Sequence, residues 1–487
     1  MNALEKTRAR KIAAGLGAAL IAALYVLAAR RLPVGVYNDD AANVLLARSM
    51  SHGSYSFPGG LGAPEEFLPA FPALLVVPSL LVEPHWNYLR AIPLFFAALC
   101  LFLTWRLARR FLSVEASAAA VLLAALNPIM VGLGGLVLPH LPYLALSLAL
   151  IDGVGADESR PAFLLLAAGA GVATLLRPVG AVLIACLALA QFQRQGLKRG
   201  VLFLLLALLP ALAWTARNHL RAGSSLDYVD TWRAHIVSLG DTPLLERASR
   251  VVSTLFGDAF LGIGTPVIQT LAGAAVLPAA LFGALVLLKK RQDVRVFVLA
   301  SYTAGLVFLH TTWKWIDPRY VIPFVPLLWI LIIAAAAKIL DKRRALACSL
   351  LTAVLFLPLR SDVARARMGL DGAAQFQPRT MAWIRENVPP SARMASAMKY
   401  AVPLLTEREC AGQGPALHAA PWLAAARLHH VEYLHVILPR AGDEFGLTDF
   451  PEGYQPAFAR WLDTRPEAKQ VFRDLDEGAL VYRLDPL

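Results

Sequence analysis

The sequence predicts a polytopic all-α membrane protein of about eleven transmembrane helices, with further helices at its outer face and a small C-terminal soluble α/β domain. Three observations carry this expectation. The 487-residue chain is 57% apolar and only 16% charged, against about 25% charge in soluble proteins. Apolar runs of roughly 15–22 residues recur through its first 360 residues, each able or nearly able to cross about 30 Å of hydrocarbon. Beyond Pro358 the composition turns to proline, glycine and charges of both signs, with no run long enough to span.

The first run, Ile12 to Ala29, follows a basic tail of Lys6, Arg8, Arg10 and Lys11. It exceeds the apolar core of a signal peptide and reads as an uncleaved first span. Further spans are expected near 89–105, 115–133, 137–151, 162–176, 179–191, 200–217, 267–287, 296–312, 320–337 and 345–358. This count places the basic clusters RLARR (106–110), RQGLKR (194–199), KKRQDVR (289–295) and KILDKRR (338–344) on one side with the N-terminal tail. By the positive-inside rule that side is the cytoplasm.

Charge also settles two ambiguous stretches. PAFPALLVVPSLLVE (69–83) holds Pro69, Pro72 and Pro78, and proline inside a helix costs about 3 kcal/mol. Counting it as a span would turn RLARR outward, so it reads as a helix at or dipping into the outer interface. Phe163 to Ala190 is broken only by Arg177-Pro178 and reads as a tight hairpin with Arg177 at its outer tip. Arms of about 22 Å set that tip below the membrane surface, in a cavity rather than in lipid. In the tail, RTMAWIRENV (379–388) reads as an amphipathic helix, and 393–398, 431–438 and 479–484 read as strands. The parity of the spans places this domain, 360–487, outside, and the membrane unit at 1–359.

Composition excludes several functions. Of four cysteines, Cys100, Cys186 and Cys348 lie in apolar runs and Cys410 stands alone in the tail; no metal spacing or disulfide framework follows. The net charge of +12 sits largely in loops between apolar runs and lacks an aromatic-basic nucleic-acid motif, so it reports topology. Neither internal repeats nor low-complexity segments are present.

The polar residues expected on the outer face come from distant segments. The first loop supplies Asp39 and Asp40; VLPHLPY supplies His140; LLRPVG supplies Arg177. LPALAWTARNHL supplies Arg217 and Asn218, with His219 beside them. HTTWKWIDPRYVIPFVP supplies His310, Lys314, Asp317, Arg319 and Tyr320. A carboxylate among cations stays ionised and can take a proton from an attacking alcohol. Guanidinium groups match phosphate oxygens and stabilise a departing phosphate. A base beside a phosphate clamp at a lipid boundary is what transfer from a lipid-linked phosphosugar requires. Asn38, Asp39 and Asp40 also open a helix, where acids serve as caps. Neighbours on a helix point about 100° apart, so one acid can cap while the other faces the site. Terminal arginines also snorkel to headgroups, and Trp313 and Trp315 suit an interfacial belt.

The first loop, YNDDAANVLLARSMSHGSYSF, resembles the D-[DE]-A-x-x-x-x-L-A-R-x-L-x-x-G-x-[YF] signature of bacterial GT-C membrane glycosyltransferases. These are the relatives of protein O-mannosyltransferases, lipid A aminoarabinose transferases and rhizobial galacturonic acid transferases. EFLPAFPALL, LLRPVG, PALAWTARNHLRAG and DPRYVIPFVPLL follow in the same order; the resemblance covers about residues 10 to 360. It implies the GT-C fold and a bacterial cytoplasmic membrane protein acting at the periplasmic or exoplasmic face. The partners it implies are a polyprenyl-phosphate-linked sugar and a lipid, glycan or protein acceptor, with inversion at the anomeric carbon. Asp39 matches the family's general base and Asp40 its second acid, which in relatives supports the site or touches a metal. Arg319 and Tyr320 fall on the Arg-Tyr position near the donor phosphate, with Arg177, Arg217 and Lys314 as further phosphate ligands. His140, Asn218 and His310 are candidate substrate contacts. Asn43 stands where many relatives have an aromatic, and His140 where many have an acid. The resemblance leaves a divalent metal open as a cofactor with weak support, because two carboxylates without a third ligand hold such an ion poorly. A lipid or polyisoprenoid flippase is the alternative, but transporters place ionisable groups near the midplane and show repeats.

Overall fold

The computed structural model describes residues 3–30, 32–35, 37–58, 67–155, 159–222, 244–261, 266–291, 293–313, 317–340, 377–413, 419–438 and 454–485. The span expected at 345–358 lies outside them, as does the boundary at 359/360.

The expected spans up to 337 are helical. They are α1 (Ala3–Ala29), α4 (Ala91–Phe111), α5 (Val114–Ala125) with α6 (Pro128–Leu133), α7 (His140–Gly153), α8 (Arg160–Leu176), α9 (Gly180–Gln195), α10 (Leu197–Ala222), α12 (Pro266–Arg291), α13 (Val294–Thr312) and α14 (Phe324–Ile339). Among them α2 (Asn38–Ser51) and α3 (Ala70–Val82) occupy the first loop, and α11 (Leu244–Arg250) leads into a π-helical stretch, Val251–Phe260. Among the described residues four helices are both long and apolar enough to cross a membrane. Their outward faces carry Phe95, Leu205, Leu271 and Phe308, all more than half exposed, an arrangement suited to lipid rather than water.

One expected span divides. The span expected at 115–133 is not continuous: Asn127 accepts from the Met130 amide through its side chain and starts a new helix with Pro128 at its first position. The Asn127 amide also donates to the carbonyls of Ala259 and Phe260. The hairpin at Arg177-Pro178 is present: α8 ends as Arg177 turns extended, and α9 begins at Gly180. A Cβ on Gly180 would meet the Thr174 amide at 2.6 Å, so the turn closes only around glycine.

Small residues let the helices approach. A Cβ on Gly283 of α12 would collide with the Leu331 carbonyl of α14, as close backbone packing in membranes requires. Buried polar pairs add to this: the hydroxyls of Tyr143 (α7) and Tyr302 (α13) are 2.5 Å apart. At the end of α7, buried Asp152 binds Arg106 at 2.6 Å and Arg110 at 3.0 Å, both on α4. Its backbone carbonyl accepts from Arg295 of α13 at 2.8 Å. One acid thereby ties three helices where the basic clusters lie.

The C-terminal part is a mixed five-stranded sheet in the order β2-β1-β3-β5-β4. The strands are β1 (Met394–Ser396), β2 (Cys410–Gly412), β3 (Tyr433–Ile437), β4 (Ala468–Asp474) and β5 (Ala479–Leu484). β1 pairs in parallel with β2 and β3; β5 pairs antiparallel with β3 and β4. Helices α15 (Pro378–Asn387), α16 (Ala401–Thr406), α17 (Ala419–Leu428) and α18 (Tyr454–Leu462) flank it. Strand alternation divides the sheet's side chains. Ala395, Leu434, Val436 and Leu480 pack with α17 and α18 in a core of their own. Met394, Tyr433, Ile437 and Val481 join Met381 and Ile384 in a core continuous with the helical bundle.

A candidate active site at the first loop

The first loop turns into α2 through Gly35, whose φ of +99° favours glycine. Asp40 holds this turn. Its two carboxylate oxygens accept from the Gly35 amide at 3.0 and 3.1 Å, and Oδ1 also accepts from the Ala41 amide at 2.7 Å. Asp40 is fully buried. Burial raises its pKa well above the usual carboxylate value, against the pull of the backbone hydrogen bonds. Of the two candidate acids, Asp40 is the one that braces the loop: its oxygens face amides.

Asp39, one position earlier, points elsewhere. Its side chain is 47% exposed, and Oδ2 lies 3.7 Å from Nη1 of Arg319. Arg319 is fixed from three directions. Asp317 caps the short turn Pro318–Val321 by accepting from the Arg319 amide at 2.8 Å. Its other oxygen accepts from Nε at 2.9 Å and Nη2 at 2.6 Å. The Tyr37 ring lies under the guanidinium at 4.3 Å, within cation–π range. Burial works to raise the pKa of Asp317, but the hydrogen bonds and charge of Arg319 outweigh it and hold the carboxyl below its usual value. Arg319 is correspondingly raised: burial opposes its charge, and Asp317 more than offsets that.

Tyr320 extends the cluster. Its ring stacks on His310 at 5.2 Å with planes 12° apart, and the Arg177 guanidinium lies 5.8 Å from its centre. His140, at the start of α7, is buried within electrostatic reach of Arg177 and Arg319. Among the described residues neither of its ring nitrogens has a hydrogen-bond partner, nor has Nδ1 of His310. The first loop, the α7 start, the hairpin tip and the Asp317 turn thus converge. Arg217 and Asn218 have other neighbours. Nη1 of Arg217 donates to Asn218 at 2.8 Å, and its guanidinium lies over Trp214 at 4.5 Å and Tyr55 at 5.2 Å. Lys314 lies outside the described residues.

The donors do not fit a divalent ion. Asp40 is committed to amides and Asp39 faces a guanidinium. Among the described residues no group of three or more histidine, cysteine, aspartate or glutamate side chains could hold a metal.

Sequence reasoning passed over Tyr37, although it adjoins the quoted acids; a cation–π partner has no spacing signature. Asn38 was legible there only as a residue that opens a helix; its Oδ1 accepts from the amides of Tyr400 at 2.9 Å and Ala401 at 3.4 Å. That contact sets the C-terminal sheet domain directly beside Asp39.

No family model and no curated protein matches the chain in sequence. Solved structures do. ArnT from Cupriavidus metallidurans in the apo state superposes with a TM-score of 0.59 at 13% identity, over 97% of this chain and 98% of that one. ArnT from the same organism bound to undecaprenyl phosphate gives 0.61 at 12% identity, over 96% and 97%. The chain has the fold of these ArnT structures, and the likeness spans the C-terminal sheet as well as the helices.

Proposed function

We propose that the protein is an inverting glycosyltransferase. It moves a sugar from a polyprenyl-phosphate donor to an acceptor hydroxyl of a lipid, glycan or protein at the outer face of a bacterial cytoplasmic membrane. The observation that carries this reading is Asp39 standing 3.7 Å from a guanidinium that Asp317 locks in place. The GT-C fold, and the undecaprenyl phosphate bound by one structural neighbour, support a donor of this class.

In this mechanism Asp39 accepts the proton of the acceptor hydroxyl while its oxygen attacks the anomeric carbon. The bond from that carbon to the phosphate oxygen breaks on the opposite side, which inverts the centre. Arg319 and Arg177 receive the phosphate, whose charge rises as it leaves. Because Asp317 and Tyr37 hold Arg319 beforehand, little reorganisation accompanies that change. His140 and His310 face the sugar. The membrane unit is residues 1–359, with a cytoplasmic N-terminus, and residues 360–487 form the periplasmic or extracellular domain.

The test is purified protein in lipid with a panel of polyprenyl-phosphate sugars, reading release of polyprenyl phosphate together with a glycosylated acceptor. Asp39→Asn abolishes both while the protein still inserts and folds. Transfer at near wild-type rate in that variant removes Asp39 as the base.

A further inference from the structure

An open cleft of about 680 Å³ lies between the C-terminal half of α2 and the loop after α16, apart from the Asp39 cluster. From α2 and its C-cap it takes Leu45, Arg48, Ser49 and His52, which recur at helical spacing on one face. Along the helix axis it begins about 9 Å and ends about 20 Å from Asp39, roughly a third of a turn round.

Three features mark it as built to hold something. Serine hydroxyls cluster on one wall: Ser49 Oγ is 2.7 Å from Ser54 Oγ and 3.4 Å from Ser56 Oγ. On the other wall Arg408 is buried and donates to three carbonyls, of Val388 at 2.8 Å, Thr406 at 3.1 Å and Arg385 at 2.7 Å. This anchor holds Glu407 and Glu409 at the cleft on either side of it. Glu407 itself sits at φ +60°, a conformation that costs a non-glycine residue on the order of 1 kcal/mol. A side chain kept there despite that cost points to a use for its carboxylate.

The lining selects the ligand. It holds Arg48 and Arg408 against Glu407 and Glu409, and Arg48 is paired with Glu83 and Glu409 with Arg393, so the cleft carries no formal excess charge. His52 Nδ1 donates to the Arg48 carbonyl at 2.8 Å. Carboxylates accept hydrogen bonds, serines both give and accept them, and Phe57, Pro403 and Leu45 supply apolar faces. Groups that both donate and accept, set on apolar rings, are the chemistry of a neutral saccharide.

We infer that this cleft is a secondary binding site for an uncharged saccharide, which tethers a glycan acceptor near Asp39. The inference rests on the transferase reading above and narrows its acceptor to a glycan long enough to reach both places. Tethering raises the local concentration of the reacting end without touching the chemistry.

The full chain in detergent is titrated calorimetrically with mannohexaose, with a galacturonic acid hexamer and with a glucosamine hexamer. Mannohexaose binds, and Ser49→Ala with Glu407→Gln weakens it at least tenfold. Glu407→Gly removes the carboxylate while relieving the backbone, so it leaves the thermal midpoint equal or higher and still weakens binding. In the transfer assay these variants lose rate on long glycans and keep it on a short hydroxyl acceptor. Binding of only the charged hexamers, of none, or unchanged binding in the variants overturns the inference. Saccharide binding without transfer from any donor strikes the activity and leaves the cleft standing.

Discussion

The carboxylates at positions 39 and 40 share a chemistry and differ in surroundings. Asp39 is half exposed beside Arg319, whereas Asp40 is buried against the amides of Gly35 and Ala41. Asp40→Ala deprives those two amides of their acceptor, at about 1–3 kcal/mol for each buried donor left unmatched. It is expected to lower the thermal midpoint in detergent, whereas Asp39→Asn leaves that midpoint in place and stops turnover. Measuring both quantities on both variants separates brace from base. Arg319→Lys keeps the charge but cannot reproduce the two-nitrogen grip on Asp317. Loss of one preorganised donor to a developing anion costs about 100-fold or more in turnover, so a fall of that size is expected, read as single-turnover rate. At this scale the sequence was partly legible. Paired acids at the start of a helix announced that one could cap and one could act, but which did which depends on Gly35, whose role is visible only in the folded turn.

At the scale of elements, length and apolarity located the spans, because the bilayer leaves few alternatives to a helix. Two strands escaped. β2 is Cys-Ala-Gly, with no branched or aromatic residue, and is a strand only because β1 lies beside it. β4 reads AKQVFRD, and its bulge at Gln470/Phe472 breaks the alternation that would have marked it. The division of 115–133 into α5 and α6 followed from Asn127-Pro128, a helix-start signal hidden inside an apolar run. The junction of α4, α7 and α13 at Asp152 offers a direct test. Arg106 and Arg110 are about half exposed, so water takes up much of what each loses, and such pairs are worth up to about 1 kcal/mol each. Asp152→Ala is expected to destabilise the protein by about 1–2 kcal/mol, measured by thermal inactivation in detergent, with the folded fraction retaining donor binding.

At the scale of the whole molecule, the sheet domain and the helical bundle share one core, so loss of the domain should loosen the bundle. His435 makes this accessible to pH. It is wholly buried between Ser396 Oγ at 2.9 Å and Gln377 Oε1 at 2.7 Å, and burial lowers its pKa to about 4. An unfolded histidine titrates near 6.5. The folded state thus resists a proton that the unfolded state takes up as pH falls below about 6.5. The stability His435 contributes is fully present above that value, declines between about 6.5 and about 4, and is flat below. The expected loss is roughly 3 kcal/mol. Midpoints measured across this range should drop, and His435→Gln should flatten the drop.

Asn38 joins the two parts where it matters most. Its single side-chain oxygen receives the amides of Tyr400 and Ala401, and the next residue is Asp39. Any rocking of the sheet domain is therefore felt, one peptide bond away, by the carboxylate proposed as base. A cargo that draws that domain inward would press this carboxylate toward its target, and one that pries it outward would idle the proposed transfer with every side chain of the site still intact.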